Sequence, residues 1–193
     1  KNVKDCSEAV VGANLEMAIL TGCDLDRADL IGVNLYGATL TDADLTRARL
    51  YGANLTYATL TTNANLTGAN LSYATLTAAG LTGANLSYAT LRYADLADAG
   101  LSGANLTGAE VTNAYLYSGY LPGANLTSAD LYGTNLSYAT LTGATLTGAS
   151  LFDAVLFDAD LTNVDLFEAS LWGANLGGAT LTGVTGWDTV KGK

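Results

Sequence analysis

Leucine stands at every fifth position from Leu15 to Leu181, broken only by Val111 and by one extra residue after Leu60. The residue two places before each centre is small: alanine in 29 of 34 units, with Cys23, Val33, Gly119, Thr134 and Val164 as exceptions. A period this regular is an internal repeat, and it restricts the fold more than composition does. On a continuous helix, successive leucines would advance by about 140° and wander around the cylinder. On an uninterrupted strand, an odd period sends alternate leucines to opposite faces. The chain must therefore turn once per repeat. Within Ala84-Asn85-Leu86-Ser87-Tyr88, the alanine and leucine share an inward side while the other three residues point out. Each unit supplies one short extended side and one corner, with Gly, Asn, Asp and Ser frequent where the corner needs unusual dihedrals.

Longer-range recurrence gives the number of sides. The residue before the centre is Asp24, Asp44, Asn65, Asn85, Asn105, Asn125, Thr145 and Asp165, spaced by twenty except across the inserted residue. Four units per coil stack these polar side chains above one another, where amides can hydrogen-bond along the axis. With coils spaced like neighbouring strands, the rod is roughly 40 Å long, and its core is a column of leucines interleaved with alanines.

Units such as Ala53-Asn54-Leu55, Ala104-Asn105-Leu106 and Ala124-Asn125-Leu126 resemble those of the pentapeptide repeat family over about residues 13 to 185. The resemblance implies an all-β fold, a right-handed quadrilateral parallel β-helix of about eight coils, with no catalytic residues built into the repeat. It also implies an abundance in cyanobacteria, and some members imitate DNA and bind gyrase as dimers. The expected organisation is an N-terminal cap over 1–12, the β-helix over 13–185 and a C-terminal cap and tail over 186–193.

Both ends of such a solenoid need lids, because open coils expose unpaired backbone edges. Val3, Cys6 and Val10 share one helical face and predict a short amphipathic helical cap with Cys6 turned toward the core. Cys23 holds an inward, alanine-type position of the first coil, so a Cys6–Cys23 disulfide is expected, with two reduced buried cysteines as the alternative. A bridge points to an oxidising compartment, the periplasm or thylakoid lumen; reduced cysteines point to the cytoplasm. The chain opens on Lys1 without a hydrophobic leader, which leaves open whether a leader was removed. At the other end Val184-Thr185-Gly186-Trp187 breaks the pattern, and Trp187 is expected to cover the last leucine layer.

The surface offers three interaction features. Tyr51, Tyr73, Tyr93, Tyr132, Phe152 and Trp172 form an aromatic stripe along one side, which either stacks for stability or marks a contact surface. Phe152, Phe157 and Phe167 all fall in one coil with Asp153, Asp158, Asp160, Asp165 and Glu168, a grouping suited to a partner or homodimer contact. Thr39, Thr41, Thr59, Thr61, Thr140, Thr142, Thr180 and Thr182 flank leucines on another side, and such Thr-X-Thr rows resemble those of insect ice-binding proteins.

The net charge of −10 disfavours nucleic acid and anionic membrane as ligands. It permits an acidic DNA mimic, although duplex DNA of this length carries about two dozen charges. No apolar run is long enough for a membrane span. Histidine is absent, which removes the commonest general base and metal ligand. No phosphate-binding loop precedes a helix. Arg27, Arg47 and Arg49 lie among Asp24, Asp26, Asp29, Asp42 and Asp44, where surface ion pairing is the expected role. The chain therefore reads as a non-catalytic, cofactor-free interaction or scaffolding module for an unnamed protein partner. A DNA mimic for gyrase or another DNA-binding protein is the first alternative, and ice binding the second.

Overall fold

The structure, a computed structural model, describes residues 6–61 and 63–192. Each repeat pairs the residue before its leucine, in parallel, with the residue one coil further on: Asn14 with Asn34, Ile19 with Thr39, Asp24 with Asp44, Asp29 with Arg49. These four rows are the four faces of a square rod, named A to D in that order. Face A runs Asn14, Asn34, Asn54, Thr75, Asp95, Tyr115, Asn135, Val155 and Asn175. The two residues after each leucine turn the corner and form the edges D–A, A–B, B–C and C–D.

The backbone explains why the repeat has five residues. Around Leu96, the Asp95 amide donates to Ala74 of the preceding coil at 2.9 Å, while the Leu96 and Asp98 amides donate to Tyr115 and Tyr117 of the next at 2.7 and 3.0 Å. The Ala99 amide closes the corner onto the Leu96 carbonyl at 3.1 Å. Only the first corner residue finds no backbone acceptor; the Ala97 amide instead donates to the Asp95 carboxylate at 3.0 Å. An Asn or Asp before the leucine thus satisfies a donor that would otherwise depend on water. The second corner residue is left-handed throughout, and not only where glycine occupies it: Arg27, Tyr57, Tyr73 and Asp98 have φ of 56°, 57°, 59° and 57°. Such strain in a non-glycine residue persists only where the surroundings fix it, and here the hydrogen bonds on both sides do so.

Alanine and leucine fill the interior, and the leucines are buried from Leu15 to Leu171. Thr134, at an alanine position, is fully buried and donates its hydroxyl to the Val111 carbonyl at 2.7 Å. The extra residue after Leu60 is absorbed at a corner: Asp44 pairs with Asn65 instead of with the residue twenty on, and the leucine column continues unbroken through Leu66.

The ends differ from the sequence expectation. In place of an amphipathic helix, the described N-terminal segment has a 3₁₀ turn, Cys6–Glu8, whose Cys6 carbonyl accepts the Ala9 amide at 3.1 Å. Val3 lies outside the described residues. Val10 is 54% exposed and does not share the inward side with Cys6, because a turn this short, followed at once by the first coil, has no second helical turn to bring it round. Cys6 and Cys23 are bonded, with Cα atoms 5.7 Å apart, and Ala9 is buried over the first coil. At the far end a second 3₁₀ turn, Trp187–Thr189, leads to buried Val190 and to Lys191, which pairs with Ser170. Trp187 packs against the core but closes only part of it: Leu181 stays 39% exposed beside a shallow recess of about 350 Å³ lined by Leu181, Val184 and Trp187. A three-residue turn rises only about 6 Å and cannot cross the square end.

Two substitutions test this arrangement. Leu96→Ala, in the middle of the column, should destabilise the rod by about 3 kcal/mol in urea or guanidinium unfolding; a negligible change would contradict a packed leucine core. Cys23→Ala installs the residue that other repeats use, so its effect isolates the bridge. It should cost about 3 kcal/mol without reductant and little with it, and equal losses under both conditions would assign the effect to packing.

Candidate interaction face

Corner geometry sorts the aromatic residues. Those following the leucines of face D stand on the D–A edge: Tyr51, Tyr73, Tyr93, Tyr132, Phe152 and Trp172. They come together in two groups. Tyr51 meets Tyr73 with ring centroids 5.4 Å apart, and Tyr73 stacks on Tyr93 at 5.0 Å and 15°. Beyond a break at Thr112, Tyr132 stacks on Phe152 at 5.6 Å and 14°. Trp172 closes the row, its ring lying against the backbone of Gly192, where no β-carbon would fit.

A second ladder, not singled out in the sequence, runs along the A–B edge. Tyr36 meets Tyr57 edge-on at 5.6 Å, and Tyr117, Tyr138 and Phe157 follow at successive centroid distances of 5.3 and 5.8 Å. The signal was present but more interrupted than on the D–A edge, since the row is empty over two successive coils, at Thr77-Ala78 and Ala97-Asp98. With Tyr115 on the face itself, twelve of the chain's sixteen aromatic residues line face A and its two edges. Their rings remain largely in water; Tyr57 and Trp172 are each 57% exposed.

The floor between the ladders is polar and internally satisfied. Asn34 donates its side-chain amide to Asn14 at 3.0 Å and Asn54 donates to Asn34 at 3.1 Å, while each Oδ1 also accepts a corner amide. This surface carries the acids Glu16, Asp95, Asp98, Asp153 and Asp158, and its cation, Arg92, is ion-paired with Glu110.

The three phenylalanines do not form one patch. Phe152 and Phe157 border face A from opposite edges, but Phe167 stands on the C–D edge with the backbone of Gly186 packed against it. The acids of the same coil also disperse. Asp153 and Asp158 sit at left-handed corners, their carboxylates packed over Gly173 and Gly178 of the next coil where a β-carbon would clash. Asp160 lies on face B, Asp165 on face C and Glu168 on the C–D edge. The Thr162 hydroxyl and amide, with a further bond from Thr142, hold the Asp160 carboxyl below the usual carboxylate range; the Thr46 hydroxyl and amide do the same for Asp44. Both are accordingly ionised at neutral pH and poor proton donors. Near the N-terminal end Arg49 pairs with Asp29 at 2.8 Å and Arg27 with Asp26 at 3.5 Å. Among the described residues no cluster could hold a metal ion, and no helix is long and apolar enough to cross a membrane.

Comparison with known proteins agrees with this geometry. The family model described as pentapeptide repeats matches in eight copies, over residues 11–47, 28–62, 43–87, 62–95, 79–116, 112–148 and 146–183. Among solved structures, the chain is similar to HetL, a pentapeptide repeat protein involved in heterocyst differentiation regulation in Nostoc sp. strain PCC 7120. Identity is 33% over 90% of this chain and 84% of that one, with a TM-score of 0.42. It is also similar to the pentapeptide repeat protein Rfr23 of Cyanothece 51142, at 36% identity over 49% of this chain and 64% of that chain, less than two thirds of its length, with a TM-score of 0.48. QnrB1, a plasmid-mediated fluoroquinolone resistance protein, aligns at 19% identity over 86% and 90% of the two chains, with a TM-score of 0.45. Among curated proteins no sequence matches. On its repeats and on the match spanning them, the chain belongs to the pentapeptide repeat family, whose members fold as right-handed quadrilateral β-helices.

Proposed function

We propose that this protein is a non-catalytic interaction module, a stiff square rod of about eight coils that docks a protein partner along face A. The observation carrying this reading is that both aromatic ladders border the same face. Ring pairing along the axis accounts for each ladder separately, contributing about 0.5–1.5 kcal/mol per pair. It gives no reason for two ladders to flank one face while the B–C edge has no aromatic residue. Exposed contiguous aromatic surface of this kind marks contact sites.

Enzymatic chemistry has little to work with: the recess at the C-terminal end is shallow and lined by apolar Leu181, Val184 and Trp187, and catalytic sites need convergent polar groups in a cavity. A DNA mimic requires carboxylates in a row at phosphate spacing, whereas Asp153, Asp158, Asp160, Asp165 and Glu168 occupy five different rows around the rod. The threonine row of face B is interrupted by Gly80, Gly100, Tyr120 and Asp160, which breaks the flat array that an ice surface would need. A homodimer through the Phe152 and Phe157 coil would use the same surface, and sedimentation distinguishes it from a second protein.

The combined variant Tyr132→Ser, Phe152→Ser and Trp172→Ser removes rings without touching the leucine column. Affinity capture from the native organism should recover a partner with the unmodified chain and with Phe167→Ser, and lose it with the triple variant. The same partner retained by the triple variant at undiminished yield would reject face A.

A further inference from the structure

Face A also limits what can lie on it, and this argument rests on the docking role proposed above. Between the first and last coils its backbone is fully paired. The Asp95 carbonyl accepts the Leu76 amide at 2.6 Å, the Ala94 carbonyl accepts Tyr115, and the adjoining amides are engaged in the same way. An extended segment laid on this surface would find no strand edge, and contact would strip water from amides that gain no partner. An α-helix closes its own backbone hydrogen bonds and needs only side-chain contacts. The dimensions agree. Three extended residues span about 6.6 Å across the face, with a ladder at each edge, so a helix of about 10–12 Å diameter laid along it would meet both ladders. The rod's length of roughly 40 Å corresponds to about 26 helical residues.

The ladders also divide lengthwise. The A–B row breaks between Tyr57 and Tyr117, and the D–A row between Tyr93 and Tyr132. The two breaks fall in successive coils: Asp95 on the floor and Asp98 on the edge stand in the A–B break, and Tyr115, which pairs with Asp95 across neighbouring coils, stands beside the D–A break at Thr112 and Asn113. The nearby cation, Arg92, is already engaged by Glu110. We infer that face A accepts an amphipathic α-helix of a partner protein, laid along the rod, apolar toward both ladder segments and carrying a Lys or Arg at its midpoint. Asp95 and Asp98 attract that cation and the Tyr115 ring offers it a π face.

Two synthetic 26-residue peptides of identical composition test this. One places leucines at helical spacing around a central Arg; the other rearranges the same residues so that leucines alternate as in a strand. The helical peptide should bind one per rod. Tyr57→Ser with Tyr138→Ser should weaken it about tenfold, and Tyr88→Ser, on the C–D edge, should leave it unchanged. Asp95→Asn with Asp98→Asn should weaken the central-Arg peptide and not a central-Gln version. Equal binding of the two peptides would overturn the helix while leaving face A as the docking surface. Binding that ignores the Tyr57 and Tyr138 changes would overturn both, and failure of the helical peptide to bind would overturn the helix outright.

Discussion

The coil-to-coil ladder of backbone hydrogen bonds is the interaction on which everything else in this molecule depends. An isolated pentad buries only an alanine and a leucine and cannot hold a square turn. Stacked, each pentad receives amides from the coils on both sides, as Ala94 receives that of Tyr115 and Asp95 that of Leu76. The stacking fixes the register at twenty residues, and the register puts leucine above leucine. Stability therefore accumulates between neighbours, as in other solenoids, so the terminal coils are the weak places. The two ends meet that weakness differently: a covalent bond and buried Ala9 close the N-terminal end, while a single 3₁₀ turn leaves Leu181 partly in water at the other.

The same register builds the surface. Any side chain repeated at twenty becomes a column spaced like neighbouring strands, about 4.8 Å. Asparagines become an amide ladder, and aromatic residues become ring stacks. This makes a rod with few local features but with long rows of fixed chemistry. Recognition by such an object follows rows, so the arrangement of whole faces carries more functional information than any single residue. Two aromatic rows beside one polar floor have a width and a polarity; one row alone has neither.

The period, the inward pairing of alanine with leucine and the twenty-residue return were all legible in the chain, because each follows from the arithmetic of one turn per five residues. Less legible was what happens where the arithmetic stops. At Cys6–Glu8 no repeat constrains the chain, and helical spacing among Val3, Cys6 and Val10 suggested more helix than the segment between cap and first coil can contain. Trp187 is a lid by size but hangs on too short a turn. On the surface, the D–A ladder was readable, while the A–B ladder of Tyr36, Tyr57, Tyr117, Tyr138 and Phe157 was not. The A–B row is empty over two successive coils, at Thr77-Ala78 and Ala97-Asp98, whereas the D–A row is interrupted over one, at Thr112-Asn113. Phe152, Phe157 and Phe167 share a coil but stand on three different edges, since position in a coil says nothing of direction until edges are assigned.

The most direct test of the square, hydrogen-bonded coil is residue-resolved amide hydrogen exchange. Four amides of each interior pentad have backbone acceptors, and the first corner amide alone depends on a side chain or on water. The account predicts slow exchange with a fast site at every fifth residue, fastest where the residue before the leucine is neither Asn nor Asp, as at Thr112 and Tyr51. Uniform protection across the corners, or protection in runs without a five-residue period, would contradict it.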